Sequence, residues 1–221
     1  MTKLHELFDD PATVEKVKQK LPRLFQMAEI ESSRAGKTGM EVGSLRERIL
    51  VALLVYKFGE GAVDTKIPIT ETQVDVKLFG ESISIKTITG MGGVKAVWTV
   101  DAERAKFFTD NYKPECEILL AQIKWDAAYV IESATPSSIY HPGGLFLIPL
   151  EVQNKLFSSM GRANYLKLPK PGTNPRGVEF AKETIVRLMQ DPGTKCIPIM
   201  WKKTTIDYDP YKRWVDYWIA D

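Results

Sequence analysis

The chain has 221 residues, 44% of them hydrophobic and 26% charged, which is ordinary globular composition with length for one full core and a single domain over 1–221. Two cysteines (Cys116, Cys196) and two histidines (His5, His141) are too few and too scattered for a structural zinc site or a disulfide framework. No signal-peptide-like apolar segment opens the chain and no run approaches membrane-spanning length, so a cytoplasmic protein with no membrane partner is expected; the net charge of +2 conceals an uneven distribution of 30 basic and 28 acidic residues.

Residues 12–32 place Val14, Val17, Leu21, Leu24 and Phe25 on one side and predict a helix, kinked or divided at Pro22. Ser33–Gly43, with three glycines, predicts a loop. Ser44 followed three residues later by Glu47 is a capping-box pattern; Ile49–Phe58 fills a helix body and Gly59 stops it.

A hairpin follows the connection 60–71. Val74, Val76 and Leu78 alternate with Gln73, Asp75 and Lys77, and beyond Gly80-Glu81 the two-residue period resumes to Thr89. Glycine at the first central position suits a type II′ turn. Counting outward from it sets Phe79 opposite Ser82, Leu78 opposite Ile83, Lys77 opposite Ser84, Val76 opposite Ile85, and Asp75 opposite Lys86. One face is then apolar, and the other carries Asp75, Lys77, Ser84 and Lys86.

Further along come a glycine turn at 90–93, a strand at Val94–Val100 and a short helix capped by Asp101 and running through Phe108. Strands are expected at Ile118–Ile123, Ala128–Ile131 and Leu145–Leu150, then a helix from about Glu151 and a proline- and glycine-broken loop at 161–177. A helix over Val178–Gln190, a strand over Cys196–Trp201 and an aromatic helix over Tyr211–Ile219 complete the chain. This order predicts an α/β (α+β) domain with a central mixed β-sheet flanked by helices.

The polar face of the hairpin pairs an acid with an amine, which is what metal-dependent phosphodiester hydrolysis requires. Asp75 can anchor a hard Mg²⁺ ion and the Ile85 backbone carbonyl can add an oxygen. Lys86 can orient the attacking water or stabilise charge on phosphate, and Glu47 can approach as a second carboxylate, on the ion or just outside its ligands. Each has a plainer reading. Glu47 can be a capping residue only, and Asp75 with Lys86 can be an exposed cross-strand ion pair. Lys77 and Ser84 are read as solvated or supporting residues.

Helical Glu, then Asp before a turn, then x-Lys on the return strand is the order of the PD-(D/E)XK nuclease superfamily, which the sequence resembles through Glu47, Asp75 and Ser84-Ile85-Lys86. Gln73-Val74 stands where a proline is usual before the aspartate, and Ser84 where a second acid is usual; Glu47 supplies that acid. The literal Asp75-Val76-Lys77 triplet lies along one strand and is not read as the motif. From Met40 to Lys86 the arrangement is similar to that of Type II restriction endonucleases cutting the palindrome CGCG to blunt ends. The resemblance implies a restriction-endonuclease-like catalytic core over about 44–150, a Mg²⁺ requirement, a homodimer, double-stranded DNA as substrate and a cognate methyltransferase for host protection.

Two loops are candidate DNA contacts, 33–43 and 161–177. No acid falls between Glu151 and Glu179, while Lys155, Arg162, Lys167, Lys170 and Arg176 give that stretch a local charge of +5. Arg162 and Arg176 can bond bidentately to guanine, with Lys167 and Lys170 on phosphates; a solvated surface loop is the alternative. In 33–43, Met40 lies between Gly39 and Glu41, with Arg34 and Lys37 nearby for phosphates. Met40 can wedge into a CG step from the minor groove or tuck against its own core. Trp214, Tyr217 and Trp218 are candidates for burial in a dimer interface or on the chain's own core. Rival functions are a repair or junction-resolving nuclease on the same hairpin and a non-catalytic, metal-free DNA-binding module.

Overall fold

The computed structural model describes residues 2–34, 37–39, 41–68, 70–91, 93–97, 101–126, 143–167 and 177–220, with the backbone alone for Arg34. A short helix α1 (Glu6–Asp9) precedes the long α2 (Pro11–Ser32). Asp10 caps α2, accepting from the Ala12 amide at 3.1 Å and the Thr13 hydroxyl at 2.5 Å, and Pro11 opens the helix where no intrahelical donor is needed. Pro22 does not divide α2; it is buried within a continuous helix whose apolar face, Val17, Leu21 and Phe25, packs into the core and outweighs the missing amide. Where a loop was expected, β1 (Ser33–Arg34) and β2 (Lys37–Thr38) pair antiparallel. Then α3 (Val42–Phe58) runs to Gly59, whose φ of +90° lets the chain leave the helix.

The remaining elements are β3 (Val63–Asp64), β4 (Val76–Leu78), β5 (Glu81–Thr89), β6 (Lys95–Val97), α4 (Ala102–Asn111), β7 (Glu117–Ile123), β8 (Gly144–Ile148), α5 (Leu150–Met160), α6 (Arg162–Tyr165), β9 (Leu166–Lys167), β10 (Val178–Phe180), α7 (Lys182–Gln190), β11 (Lys195–Pro198) and α8 (Lys212–Ile219). Among the described residues a six-stranded sheet has the order β11-β8-β7-β5-β4-β3. Only its β5–β7 pair is parallel, so the sheet is mixed as expected. Every residue of β7 and β8 is buried, because both sheet faces are covered.

Strand alternation divides the core. Val76, Leu78, Ile83, Ile85, Leu119 and Leu147 point to α2 and α3, where Leu50 and Leu54 meet them. Ile88, Leu120, Phe146 and Ile148 point the other way, against Tyr112, Tyr165, Val178 and Leu188. Burying one such aliphatic side chain contributes about 1.5–3 kcal/mol.

Several expectations need correction. Val178–Gln190 is not one helix: Val178 and Phe180 are buried in β10, which pairs with β6 and β9, and the helix begins only at Lys182. The 161–177 stretch begins with α6 and β9 rather than loop, anchored by the fully buried Tyr165. Of the expected strand Val94–Val100, β6 covers Lys95–Val97 and 98–100 lie outside the described residues; the expected strand Ala128–Ile131 does so entirely. Among the described residues no helix is long and apolar enough to cross a membrane.

Candidate active site

The β4–β5 hairpin has the expected faces in a different register. Leu78 pairs with Glu81, Lys77 with Ser82 and Val76 with Ile83, two residues from the expected pairing. The turn residues are Phe79 and Gly80, with φ of +50° and +83°, a type I′ geometry in place of the expected type II′ turn at Gly80-Glu81. A shift of two preserves which side of the sheet each side chain faces. Asp75 therefore still meets Lys86, although not as its direct cross-strand partner.

Asp75 lies just beyond the end of β4, and its backbone amide donates to the Ile83 carbonyl at 2.9 Å. Its Oδ2 accepts from the Ile85 amide at 2.6 Å, from Lys86 Nζ at 3.0 Å and from Ser84 Oγ at 3.2 Å. With β4 ended, the carboxylate takes the strand amide that would otherwise lack a partner. These charge-assisted bonds fix Asp75 far more firmly than a solvated ion pair is fixed. Ser84 is buried and orients Asp75 directly, so it is not solvated, and Lys77 instead pairs with Glu71 at 2.8 Å. All three donors fall on Oδ2, and no donor among the described residues meets Oδ1. The N–H and C=O of one strand residue leave by the same edge, so the Ile85 carbonyl is directed to the edge that β4 vacates.

Glu47 reaches the same place from α3, but it is no capping residue. The helix begins at Val42, Ser44 is exposed, and Glu47 lies beyond the first turn. The start is displaced because the chain turns tightly at Gly39, whose amide donates to the Ser32 carbonyl at 2.9 Å; a Cβ there would come within 2.5 Å of that oxygen. The Glu47 carboxyl is thus free to face Asp75 and Lys86. Burial pushes its pKa from 4.5 up to about 7; the Lys86 ammonium opposes the rise and the Asp75 carboxylate adds to it. Beneath the site, burial also pushes the Cys116 thiol up to about 12, leaving it neutral.

Folding takes up a proton at Glu47 between its ordinary value and about pH 7, so its contribution to stability is full below about pH 4.5 and is lost as pH rises through about 7. In EDTA, the melting temperature is expected to fall from pH 5 to pH 8 more steeply in the wild type than in Glu47→Gln. Parallel curves from the two proteins would overturn this account of Glu47.

Next to Glu47, Arg46 lies on the core-facing stripe with Leu50 and Leu54 and is 4% exposed. It pairs with the buried Glu29 of α2 and donates to Thr89 Oγ1 at the end of β5 at 3.0 Å. Glu29 also accepts from Trp125 Nε1 at 2.6 Å and pairs with Lys203 at 3.0 Å. This network registers α3 against the far end of the strand that bears Lys86. Sequence reasoning passed over it, although an arginine at i of an i, i+4, i+8 apolar stripe was the available signal.

The candidate DNA contacts are less completely placed. Met40, Lys170 and Arg176 lie outside the described residues, as does the side chain of Arg34. Lys37 and Lys167 are exposed. Arg162, at the exposed start of α6, donates to the Tyr112 carbonyl at 3.3 Å and stands 6.0 Å over the Phe157 ring, so part of its capacity is used within its own chain.

Once Glu47 is ionised, two carboxylates against one lysine leave an excess of negative potential that a cation can neutralise, and the donors are all hard oxygens. Among the described residues no cluster of three His, Cys, Asp or Glu side chains could hold a metal. Asp75, Glu47 and the Ile85 carbonyl fit a hard divalent ion that keeps waters or phosphate oxygens among its remaining ligands.

No curated protein matches the chain. A solved structure of a restriction endonuclease in complex with substrate DNA is 50% identical to it, over 98% of this chain and 99% of that one, with a TM-score of 0.84. The family description "Restriction endonuclease ThaI" matches residues 7–220. With nearly the whole chain matched, and with a mixed sheet flanked by helices, the chain belongs to the ThaI restriction endonuclease family and is a Type II site-specific deoxyribonuclease.

Proposed function

We propose that Glu47, Asp75 and Lys86 are the catalytic residues of a Mg²⁺-dependent enzyme that cuts double-stranded DNA at the palindrome CGCG to blunt ends. The observation that supports this best is the meeting of Asp75 Oδ2 with Lys86 Nζ at 3.0 Å, with the Glu47 carboxyl, whose pKa burial raises to about 7, facing the pair. Asp75, the Ile85 carbonyl and Glu47 would hold the ion, and Glu47 would give up its proton to do so. When bound, a divalent ion supplies Lewis acidity, acidifying water and drawing charge from phosphate. Lys86 has three donors and uses one on Asp75; the others can orient the attacking water or meet a phosphate oxygen as charge builds there.

The family removes the metal-free binding module and the shape-directed repair nuclease as readings of the chain. A palindrome cut on both strands calls for two active sites related by a two-fold axis, hence a homodimer. Met40 as a minor-groove wedge, with Arg34, Lys37, Arg162, Lys167, Lys170 and Arg176 on phosphate or guanine, completes the proposed DNA contacts. A cognate methyltransferase would protect the host's own sites.

Digestion of a fully sequenced plasmid with Mg²⁺, with the ends of every fragment sequenced, tests the reading. Blunt ends confined to CGCG and abolished by EDTA are expected. Cleavage in EDTA would overturn the metal requirement, and discrete ends at another sequence would overturn the CGCG assignment.

A further inference from the structure

Two apolar surfaces of the chain are largely uncovered among the described residues. The first is α8, in which every residue is exposed, Tyr217 and Trp218 to 78% and 87%. Tyr211, Trp214, Val215, Trp218 and Ile219 lie along one side, and Lys212, Arg213 and Asp216 along the other. The polar side is the tethered one. Arg213 pairs with Glu31 of α2, and the nearby Tyr208 hydroxyl donates to the same carboxylate at 2.8 Å. Apart from Trp214, whose ring carries the Arg213 guanidinium at 4.7 Å, the aromatic stripe is therefore turned away from the described residues of its own chain.

The second surface is an apolar groove of about 400 Å³ between α2 and α3, walled by Val17, Leu21, Leu24, Ile49, Leu53 and Tyr56. Lys16 and Lys20 stand at its edge, and Lys16 Nζ already lies 4.6 Å over the Tyr56 ring. An apolar cleft edged by ammonium groups suits an aromatic helix, since tryptophan and tyrosine offer both buried area and a face for a cation.

We infer that the occupant of this groove is α8 of a second copy of this chain, each copy giving its helix and receiving the other's across a two-fold axis. Such an exchange is self-complementary, as a two-fold interface must be, and follows the helix-in-groove mode of recognition. With aromatic side chains burying about 150–250 Å² each, two helices and two groove walls together bury on the order of 1,600–2,000 Å², the range of a stable dimer. The inference rests on the homodimer of the proposed function and gives it a surface.

The test measures association by sedimentation velocity over a range of concentrations, without DNA or metal, so that the outcome is independent of cleavage. One variant spoils the helix (Trp214→Ser with Trp218→Ser) and the other spoils the groove (Leu24→Glu with Ala52→Glu); all four positions are exposed and their substitution leaves the core intact. Each variant alone is expected to dimerise at least about 30-fold more weakly than the wild type, since hot-spot side chains are worth about 2 kcal/mol or more. Mixed, the two should regain association, because a mixed pair keeps one intact helix-in-groove contact. Wild-type association by either variant alone, a monomeric wild type, or a mixture that fails to associate would each overturn the inference. The first and third of these outcomes leave the nuclease activity and a dimer formed elsewhere standing.

Discussion

Asp75→Ala is expected to lower the rate of DNA cleavage by at least about 10³-fold while leaving sequence-specific DNA binding in place. Losing one preorganised electrostatic group already costs about 10²–10³ in rate, and Asp75 does more than one job. In the proposed mechanism it is the carboxylate that would hold the ion, and it fixes Lys86 Nζ through the 3.0 Å bond. The fold should tolerate the change. Asp75 is 38% exposed at its side chain, so water can take over the Ile85 amide and the lysine that it leaves behind. Asp75→Asn sharpens the test, since it keeps a side chain of the same shape with an oxygen for the Ile85 amide and removes only the charge. Cleavage assays paired with gel-shift titrations in EDTA separate the two effects. Cleavage within tenfold of wild type in either variant would remove Asp75 from the chemistry, and loss of binding together with cleavage would make it a residue of DNA affinity.

The site was legible in the sequence to the extent that it depended on strand parity and chain order. Asp75, Ser84 and Lys86 fall on one face in any register shifted by an even number, so the two-residue error at the turn left them together. The error arose at Phe79, where a non-glycine residue adopts a positive φ, and turn rules place glycine first for that job. Glu47 shows the converse. Its capping-box spacing with Ser44 was a true local pattern, overridden by a tertiary event, the close approach of Gly39 to the Ser32 carbonyl that starts α3 early. In β10 the two buried residues Val178 and Phe180 are too short a run to announce a strand when a helical pattern follows without a break. The exposure of Trp214 and Trp218 contradicts the usual expectation for tryptophan, because their helix is held by its polar side.

The buried network at Arg46 leads to the second large effect. Arg46→Met keeps an unbranched stem among Phe25, Leu50 and Leu54 but removes the guanidinium, leaving Glu29 in the core with Lys203 and Trp125 as its partners. Breaking a buried pair on one side costs about 3–5 kcal/mol because the remaining charge is still desolvated. Lys203 is 47% exposed and cannot fully replace a buried guanidinium, so a loss near the lower end, about 3 kcal/mol, is expected. For a chain of this length that lowers the melting temperature by roughly 6–12 °C. Replacing both partners, Glu29→Leu with Arg46→Met, should recover much of this stability, since an apolar pair carries no desolvation cost. It should not recover cleavage, because the bond from Arg46 to Thr89 that holds α3, and with it Glu47, against β5 is gone in both variants. Calorimetry alongside single-turnover cleavage distinguishes these roles. A melting temperature unchanged in Arg46→Met would mean that water already solvates Glu29, and full cleavage by the stable double variant would show that α3 is held in place without Arg46.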